Sequence, residues 1–346
     1  MRIQKYSLTA ALLLCSLFFW VPDLLAQSGG FAGSFSRMGF SPRGMAMGNT
    51  MTAVHHEGSY GYYNPALAAA PADGVQFDLG TAALRFDRQL HMLTSHFQLP
   101  PSAGFSVSLI NARVSDIDGR SSSGYHTEML TTSEYQVIGN FGLRFSDRFW
   151  GGIGIKYNLA NLHDEIPNTS SIGLDAGVYI QPLSVWTLAF AVKDLLSSYS
   201  VDSSDLYGTD TVPRIYDFPT RLIAGTSYQL SELWLISFDF ETRLQHSEIN
   251  RPDSDQNGAG ERMVRQNIST TTRFARMGTR YLIHERITLR GGLQLNQPGD
   301  ENQLQPSAGF SLHLPYDRFS PSIDYAFMRE PSQLSTMHVF AIRLNI

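Results

Sequence analysis

Ile172-Gly173-Leu174-Asp175-Ala176-Gly177-Val178-Tyr179-Ile180 and, shortly after it, Trp186-Thr187-Leu188-Ala189-Phe190-Ala191-Val192-Lys193 decide the fold. In the first, Ile172, Leu174, Ala176, Val178 and Ile180 share one face, and Gly173, Asp175, Gly177 and Tyr179 share the other. Period two is the signature of a strand whose faces meet different surroundings. Each stretch is about as long as a tilted strand needs to cross hydrocarbon, roughly ten residues. The same alternation recurs outward along the chain, as in Trp234, Ile236, Phe238 and Phe240 against Ser237, Asp239 and Glu241. It also closes the chain, with His338, Phe340, Ile342, Leu344 and Ile346 against Arg343 and Asn345.

The pattern predicts strands over 74–85, 89–98, 103–112, 134–145, 149–159, 171–181, 184–193, 219–229, 232–242, 272–283, 286–296, 304–313, 318–328 and 337–346. Their connections alternate in length. Short links fall at Pro100-Pro101, 146–148, Pro182-Leu183, Leu230-Ser231, His284-Glu285 and 314–317; long polar ones fall at 114–133, 160–170, 194–218, 243–271, 297–303 and 329–336. Outer-membrane barrels have short periplasmic turns and long external loops, so the alternation gives orientation as well as class. A soluble sandwich or propeller offers no reason for it. The expectation is an all-β, transmembrane, antiparallel up-and-down β-barrel of about fourteen strands over 74–346, its last strand paired with its first because an unpaired edge in lipid costs several kcal/mol per group. The first hairpin, at Asp87-Arg88, lacks the long loop expected there, and Pro321 is the proline read as falling within a strand.

Composition agrees. Charged residues make up 16% and aromatics 12%, where a soluble protein carries about a quarter charged. Residues 1–26 have the layout of a cleaved signal peptide: Arg2 and Lys5, an apolar run from Leu8 to Trp20, then Pro22 and Ala26. Beyond it no apolar run approaches the roughly 20 residues of a membrane helix. Cleavage after Ala26 removes Cys15, the single cysteine, and with it disulfides and thiolate metal sites. A net charge of -5 and the lack of a basic stripe argue against nucleic acid. The expected location is the outer membrane of a Gram-negative cell, with its lipid as the first partner.

Residues 27–73 do not alternate and carry Met38, Met45, Met47, Met51, Tyr60, Tyr62 and Tyr63 among small residues. A barrel of fourteen strands encloses space that must be occupied, and flexible Met side chains fill irregular space. The reading is an N-terminal lumen plug, with Gly44 and Gly48 letting its backbone approach the wall. Arg37-Met38-Gly39-Phe40-Ser41-Pro42-Arg43-Gly44-Met45-Ala46-Met47-Gly48-Asn49-Thr50-Met51-Thr52-Ala53-Val54, followed by Tyr62-Tyr63-Asn64-Pro65-Ala66-Leu67, resembles the opening of the PorV/PorQ family of outer-membrane β-barrels, distantly related to the FadL fatty-acid transporters. Ile323-Asp324-Tyr325-Ala326-Phe327 with the last strand is similar to that family's closing hairpin. The resemblance implies an N-terminal segment folded into the lumen, with Arg43, Gly44, Met45, Met47, Gly48, Asn64, Pro65 and Ala66 as its motif. It also implies an accessory or cargo-handling role in type IX-like protein secretion, with secreted cargo proteins or other secretion-system components as partners. The alternatives are FadL-like uptake of a hydrophobic small ligand and a structural barrel without transport.

No catalytic arrangement emerges. His55-His56-Glu57 lacks the helical spacing of a zinc site, and Asp253, Asp255, Asn257 and Gly258 have a calcium-loop composition with the closing acid, Glu261, misplaced. No cofactor and no metal are expected, and the chain does not read as an enzyme. The polar faces of the strands carry Asp78, Arg144, Lys156, Asp175, Lys193, Asp239, Glu241, Arg280, Arg290, Asp324 and Arg343. These are read as an inward ion-pair network that also holds Arg43, or else as the lining of a solute path. A water-filled lumen implies that arginine costs about 2 to 4 kcal/mol at lipid-facing Leu174 and much less at Asp175.

Overall fold

The computed structural model describes residues 32–346, apart from 56, 59, 73, 203–213, 255–260, 298–302, 315–319 and 331–334, with backbone alone for 247–254, 261–267, 297 and 303. The expected signal peptide and the core of the calcium-like loop therefore lie outside the described residues.

Fourteen antiparallel strands close into one barrel. They are β1 (Gln76–Ala83), β2 (Arg88–Leu99), β3 (Ala103–Arg120), β4 (His126–Ser146), β5 (Phe149–Asn161), β6 (Thr169–Leu183), β7 (Trp186–Leu195), β10 (Thr220–Gln229), β11 (Trp234–Ser254), β12 (Glu261–His284), β13 (Ile287–Gln297), β14 (Gln303–His313), β15 (Ser322–Arg329) and β16 (Thr336–Asn345). β8 (Ser198–Val201) and β9 (Arg214–Asp217) form a separate two-stranded sheet within the loop between β7 and β10. Each predicted strand has its counterpart. Closure runs from Gln76 opposite Asn345 to Ala83 opposite His338. Val75 and Ile346 exchange backbone hydrogen bonds of 2.9 and 3.0 Å, so the sheet has no free edge where the chain begins and ends its circuit.

The wall is inverted relative to a soluble protein. Ile172, Leu174, Phe190, Ile153 and Phe238 are exposed, while Asp175, Lys156, Asn140 and Asp239 are buried. Such a distribution suits a wall with lipid outside. Among the described residues no helix is long and apolar enough to cross a membrane.

Three departures from the sequence reading have physical causes. β3 and β4 continue to Arg120 and His126, and β11 and β12 to Ser254 and Glu261, through stretches expected to be loops. Outside lipid both faces of a hairpin are wet, so the strands persist while the hydrophobic period that betrays them vanishes; at the tip of the first, Arg120 donates to Asp118 at 2.9 Å. β15 begins at Ser322, after Pro321, whereas Pro306 lies within β14 opposite Leu293. Its ring removes a ladder donor near the loop-side end of that strand. Finally, β7 carries an extra residue relative to β6, since Ala176 faces Val192 but Leu174 faces Leu195. The bulge, with Asp194 at φ 61°, turns two consecutive side chains, Lys193 and Asp194, toward the inside, where both are buried.

Candidate functional site

Residues 32–70 form short turns: a 3-10 turn at Ser34–Arg37, α1 (Ser41–Ala46), α2 (Tyr60–Tyr63) and a second 3-10 turn at Pro65–Ala69. Asn64 shapes the last of these. Its Oδ1 accepts from the Ala66 N–H at 3.0 Å, Pro65 supplies the preset φ of a first helical residue, and Nδ2 donates to the carbonyls of Thr52 and Val178 at 3.1 Å each. The step Asn64-Pro65-Ala66 thus joins two parts of the segment to β6.

Glycines on the inner face of the wall make room for this backbone. A Cβ on Gly177 would lie 1.9 Å from Asn64 Oδ1, on Gly152 2.4 Å from the Pro65 carbonyl carbon, on Gly278 2.1 Å from Thr50 Oγ1, and on Gly292 2.1 Å from the Gly48 nitrogen. A strand glycine often marks a close approach by another backbone. That signal stands in the sequence at Gly177, on the face opposite Ile172 and Leu174. Gly48, at φ +64°, meets the Leu293 backbone, with a Cβ placed 3.1 Å away. Gly44 does not face the wall: its missing side chain leaves room for the Tyr63 hydroxyl, 2.2 Å from where a Cβ would be.

The inward charges pair among themselves and with the segment. Arg43 meets Asp324 at 3.0 Å and Ser322 at 2.7 Å. Glu57 accepts from Arg290 at 2.8 Å and pairs with Arg280 at 3.2 Å, and its carbonyl accepts from Arg343, whose Nη2 also reaches Asp78 at 3.0 Å. Burial by itself would raise the Glu57 carboxyl; Arg290, Arg43 and Arg280 outweigh it and hold the group well below the ordinary carboxylate range. Asp239 accepts from the Thr52 hydroxyl at 2.6 Å. A second network joins Lys156 to Asp175 at 2.8 Å and to Asp194 at 2.6 Å, with Arg221 on Asp194 at 2.6 Å. Lys193 donates to the Tyr62 carbonyl and lies over its ring at 4.5 Å. Glu241 binds Arg276 at 2.6 Å. Arg144 stands apart at the short-turn rim, half-buried, donating to the Pro101 carbonyl at 2.9 Å.

Asp194, Arg221 and Arg276 are not among the residues singled out from the sequence, and Glu57 is weighed there only as a metal ligand beside His55 and His56. Glu57 sits in an aperiodic stretch, and Asp194 is turned inward only by the bulge. Arg221 and Arg276 do fall at inward positions of their strands, where alternation could have found them.

The inner wall breaks the polar rule in places, as where Trp150, Tyr179 and Ala189 pack on the segment, and most extensively in one region. Leu90 and Met92 on β2, Ile110 on β3, Ile138 on β4, Met328 on β15 and Met337 and Val339 on β16 all point inward and are fully buried. They form a single apolar cluster with Phe35, Phe40, Met45, Met47, Met51, Tyr62 and Tyr63 of the segment. The patch occupies the loop-side half of adjoining strands, since β16 and β15 follow β1 around the barrel. Two residues beyond Met328, the buried Glu330 accepts from Arg88 at 3.0 Å, tying the β1–β2 link to the end of β15. The patch had a sequence signal: apolar doublets at Met92-Leu93, Leu109-Ile110, Val137-Ile138 and Val339-Phe340, where alternation lapses in neighbouring strands.

No family model matches the chain, and no curated protein does. Solved structures do. The chain is similar to the CymD monoaromatic hydrocarbon channel, at 12% identity and TM-score 0.59, over 89% of this chain and 96% of that one. It is similar to the Pseudomonas putida toluene transporter TodX, at 13% identity and TM-score 0.58, over 88% and 97%. It is similar to a Pseudomonas aeruginosa FadL homologue, at 11% identity and TM-score 0.60, over 88% and 97%. At such identities the likeness is one of fold: a closed FadL-like barrel. Neither the finer resemblance to PorV/PorQ nor a role in type IX secretion gains support from these matches.

Proposed function

We propose that this chain is an outer-membrane channel for small apolar molecules, closed in its described state by residues 32–70 acting as a plug. The observation that carries the reading is the inward apolar patch from Leu90 to Val339, facing the segment on a wall whose inner face otherwise carries many paired charges. Water-lined conduits gain nothing from burying Met92, Ile110 and Ile138 inside. An apolar solute does, at about 25 cal/mol per Å² removed from water. The methionines of the cluster, Met45, Met47 and Met51 from the segment and Met92, Met328 and Met337 from the wall, can repack around ligands of different shape. The fold shared with a hydrocarbon channel and a toluene transporter supports the same reading over a protein-secretion role, and over catalysis.

Toluene binding to the purified protein tests it. Met92→Gln places an amide against the apolar ligand and is expected to weaken saturable binding about tenfold, from a desolvation cost of about 1 to 3 kcal/mol. Unchanged affinity would remove the patch as the site. The plug is tested separately: deletion of residues 27–70 is expected to raise single-channel conductance in planar bilayers, with heat-modifiable gel mobility reporting that the barrel has folded. A folded deletion variant with the parent's conductance would show that the segment does not close the lumen.

A further inference from the structure

Behind the inward apolar patch, the outer face of the same strands carries polar side chains toward its loop end. Register sets Phe327, His338, Ala83, Gln89 and Arg113 in one row across β15, β16, β1, β2 and β3. The next outward row toward the short turns runs through Tyr325, Phe340, Thr81, His91 and Asn111. Tyr325 and His338 share a hydrogen bond of 2.8 Å, and Thr81 and His91 share one of 3.1 Å. Hydrocarbon gives no reason for such side chains on an outer face; a headgroup layer does. The β1–β2 link spans only 84–87, so no long loop stands between that layer and the top of the wall. Three cations crown the sector. Arg85, Arg113 and Arg329 are exposed and make no ion pair among the described residues, whereas Arg88 is committed to Glu330. The acids nearest in sequence, Asp87 and Asp116, are exposed beyond the row on the loop side. Within the link, Phe86 is 68% exposed at φ 62°. A bulky residue rarely takes the left-handed region, and such strain persists only where the surroundings enforce it. Here they do: the Asp87 carbonyl accepts from the Ser115 N–H at 3.2 Å, and Arg88 Nε donates to the Arg85 carbonyl at 2.9 Å.

We propose that this sector binds a phosphorylated glycolipid of the outer leaflet, of the lipid A class. Its phosphates meet Arg85, Arg113 and Arg329, since a guanidinium fork binds phosphate oxygens in pairs. Its sugar hydroxyls meet Gln89, His91 and His338. Phe86 enters the boundary between headgroups and acyl chains, the level at which aromatic side chains anchor membrane proteins. Arg113 on β3 and Arg329 on β15 are separated by β2, β1 and β16. Their backbones thus stand roughly 19 Å apart at the usual strand spacing. Two long side chains and a doubly phosphorylated disaccharide cover that span, and a single phosphate does not. The inference rests on the outer-membrane placement of the barrel and not on what passes through it.

Native mass spectrometry of the full protein in detergent, with diphosphoryl lipid A or its dephosphorylated counterpart added, tests the proposal. Diphosphoryl lipid A is expected to be retained as a one-to-one complex, and the dephosphorylated lipid to bind about tenfold more weakly or less. Arg85→Gln, Arg113→Gln and Arg329→Gln are each expected to lower the affinity about fivefold, the usual worth of one cation at an anionic lipid surface. Arg148→Gln, exposed in the β4–β5 turn at the opposite rim, is expected to leave it unchanged. Phe86→Gly relieves the turn, so it is expected to keep the closed barrel while binding about tenfold more weakly, for loss of the buried ring. Heat-modifiable gel mobility reports closure of each variant; a parent chain that never closes in detergent or lipid would count against the membrane placement itself. In a closed barrel, any of four results would overturn the assignment: equal retention of the two lipids, parental retention by the variant carrying all three arginine substitutions, an equal loss in Arg148→Gln, or displacement by inorganic phosphate at the lipid's own concentration.

Discussion

Arginine in place of Asp175 is expected to destabilise this barrel more than arginine in place of Leu174. At Leu174 the side chain faces lipid, 39% exposed, and a midplane arginine there costs about 2 to 4 kcal/mol. Asp175, its neighbour on the inner face, is 3% exposed; it pairs with Lys156 at 2.8 Å and accepts from the Asp194 N–H at 2.8 Å. Breaking a buried pair by removing one partner costs about 3 to 5 kcal/mol. The new guanidinium would also press a like charge on Lys156, beside Gly154, whose Cβ would already sit 3.3 Å from that of Asp175. The alternating pattern alone implies the reverse ranking, because it treats an inward position as wet. Urea unfolding of both variants refolded into lipid vesicles measures the order. A milder loss at Asp175 would mean that water fills the lumen at this level and that the Lys156 network is loose.

What alternation could and could not reveal follows from what generates it. A strand between lipid and a polar interior leaves a period in the sequence, so Ile172 to Ile180 places itself, and the even number of strands and the short and long links follow from repeating that reading. Hairpin tips such as Arg113 to Arg120 are wet on both faces and leave none. Asp194 belongs to a bulge, where one added residue reverses the faces, and no periodic template anticipates that reversal. The segment before β1 has no period because it packs on all sides: its position is written instead in the wall, in inward glycines such as Gly152, Gly177, Gly278 and Gly292. Inward apolar residues were legible as doublets, but each doublet is unremarkable until register sets Met92 beside Ile110 and Leu93 beside Leu109.

Glu57→Gln is expected to loosen the segment while leaving the wall intact. The carboxylate is the counter-charge for Arg290 at 2.8 Å and Arg280 at 3.2 Å, and an amide of the same shape leaves both guanidinium groups buried with a weaker acceptor. The cost is about 3 to 5 kcal/mol by the same asymmetry between making and breaking a buried pair. The damage stays local, because Arg343 keeps Asp78 and Arg43 keeps Asp324, and the strand ladder from β12 to β16 does not pass through residue 57. It therefore falls on docking of the segment between Thr52, held by Asp239, and Asn64, held by Val178. The variant should keep the heat-modifiable mobility of a closed barrel, open to higher conductance, and become sensitive to protease near residues 54–62. Wild-type conductance and protease resistance would show that Arg43, Thr52 and Asn64 hold the segment without Glu57, and that the Arg280–Arg290 pair finds its counter-charge elsewhere.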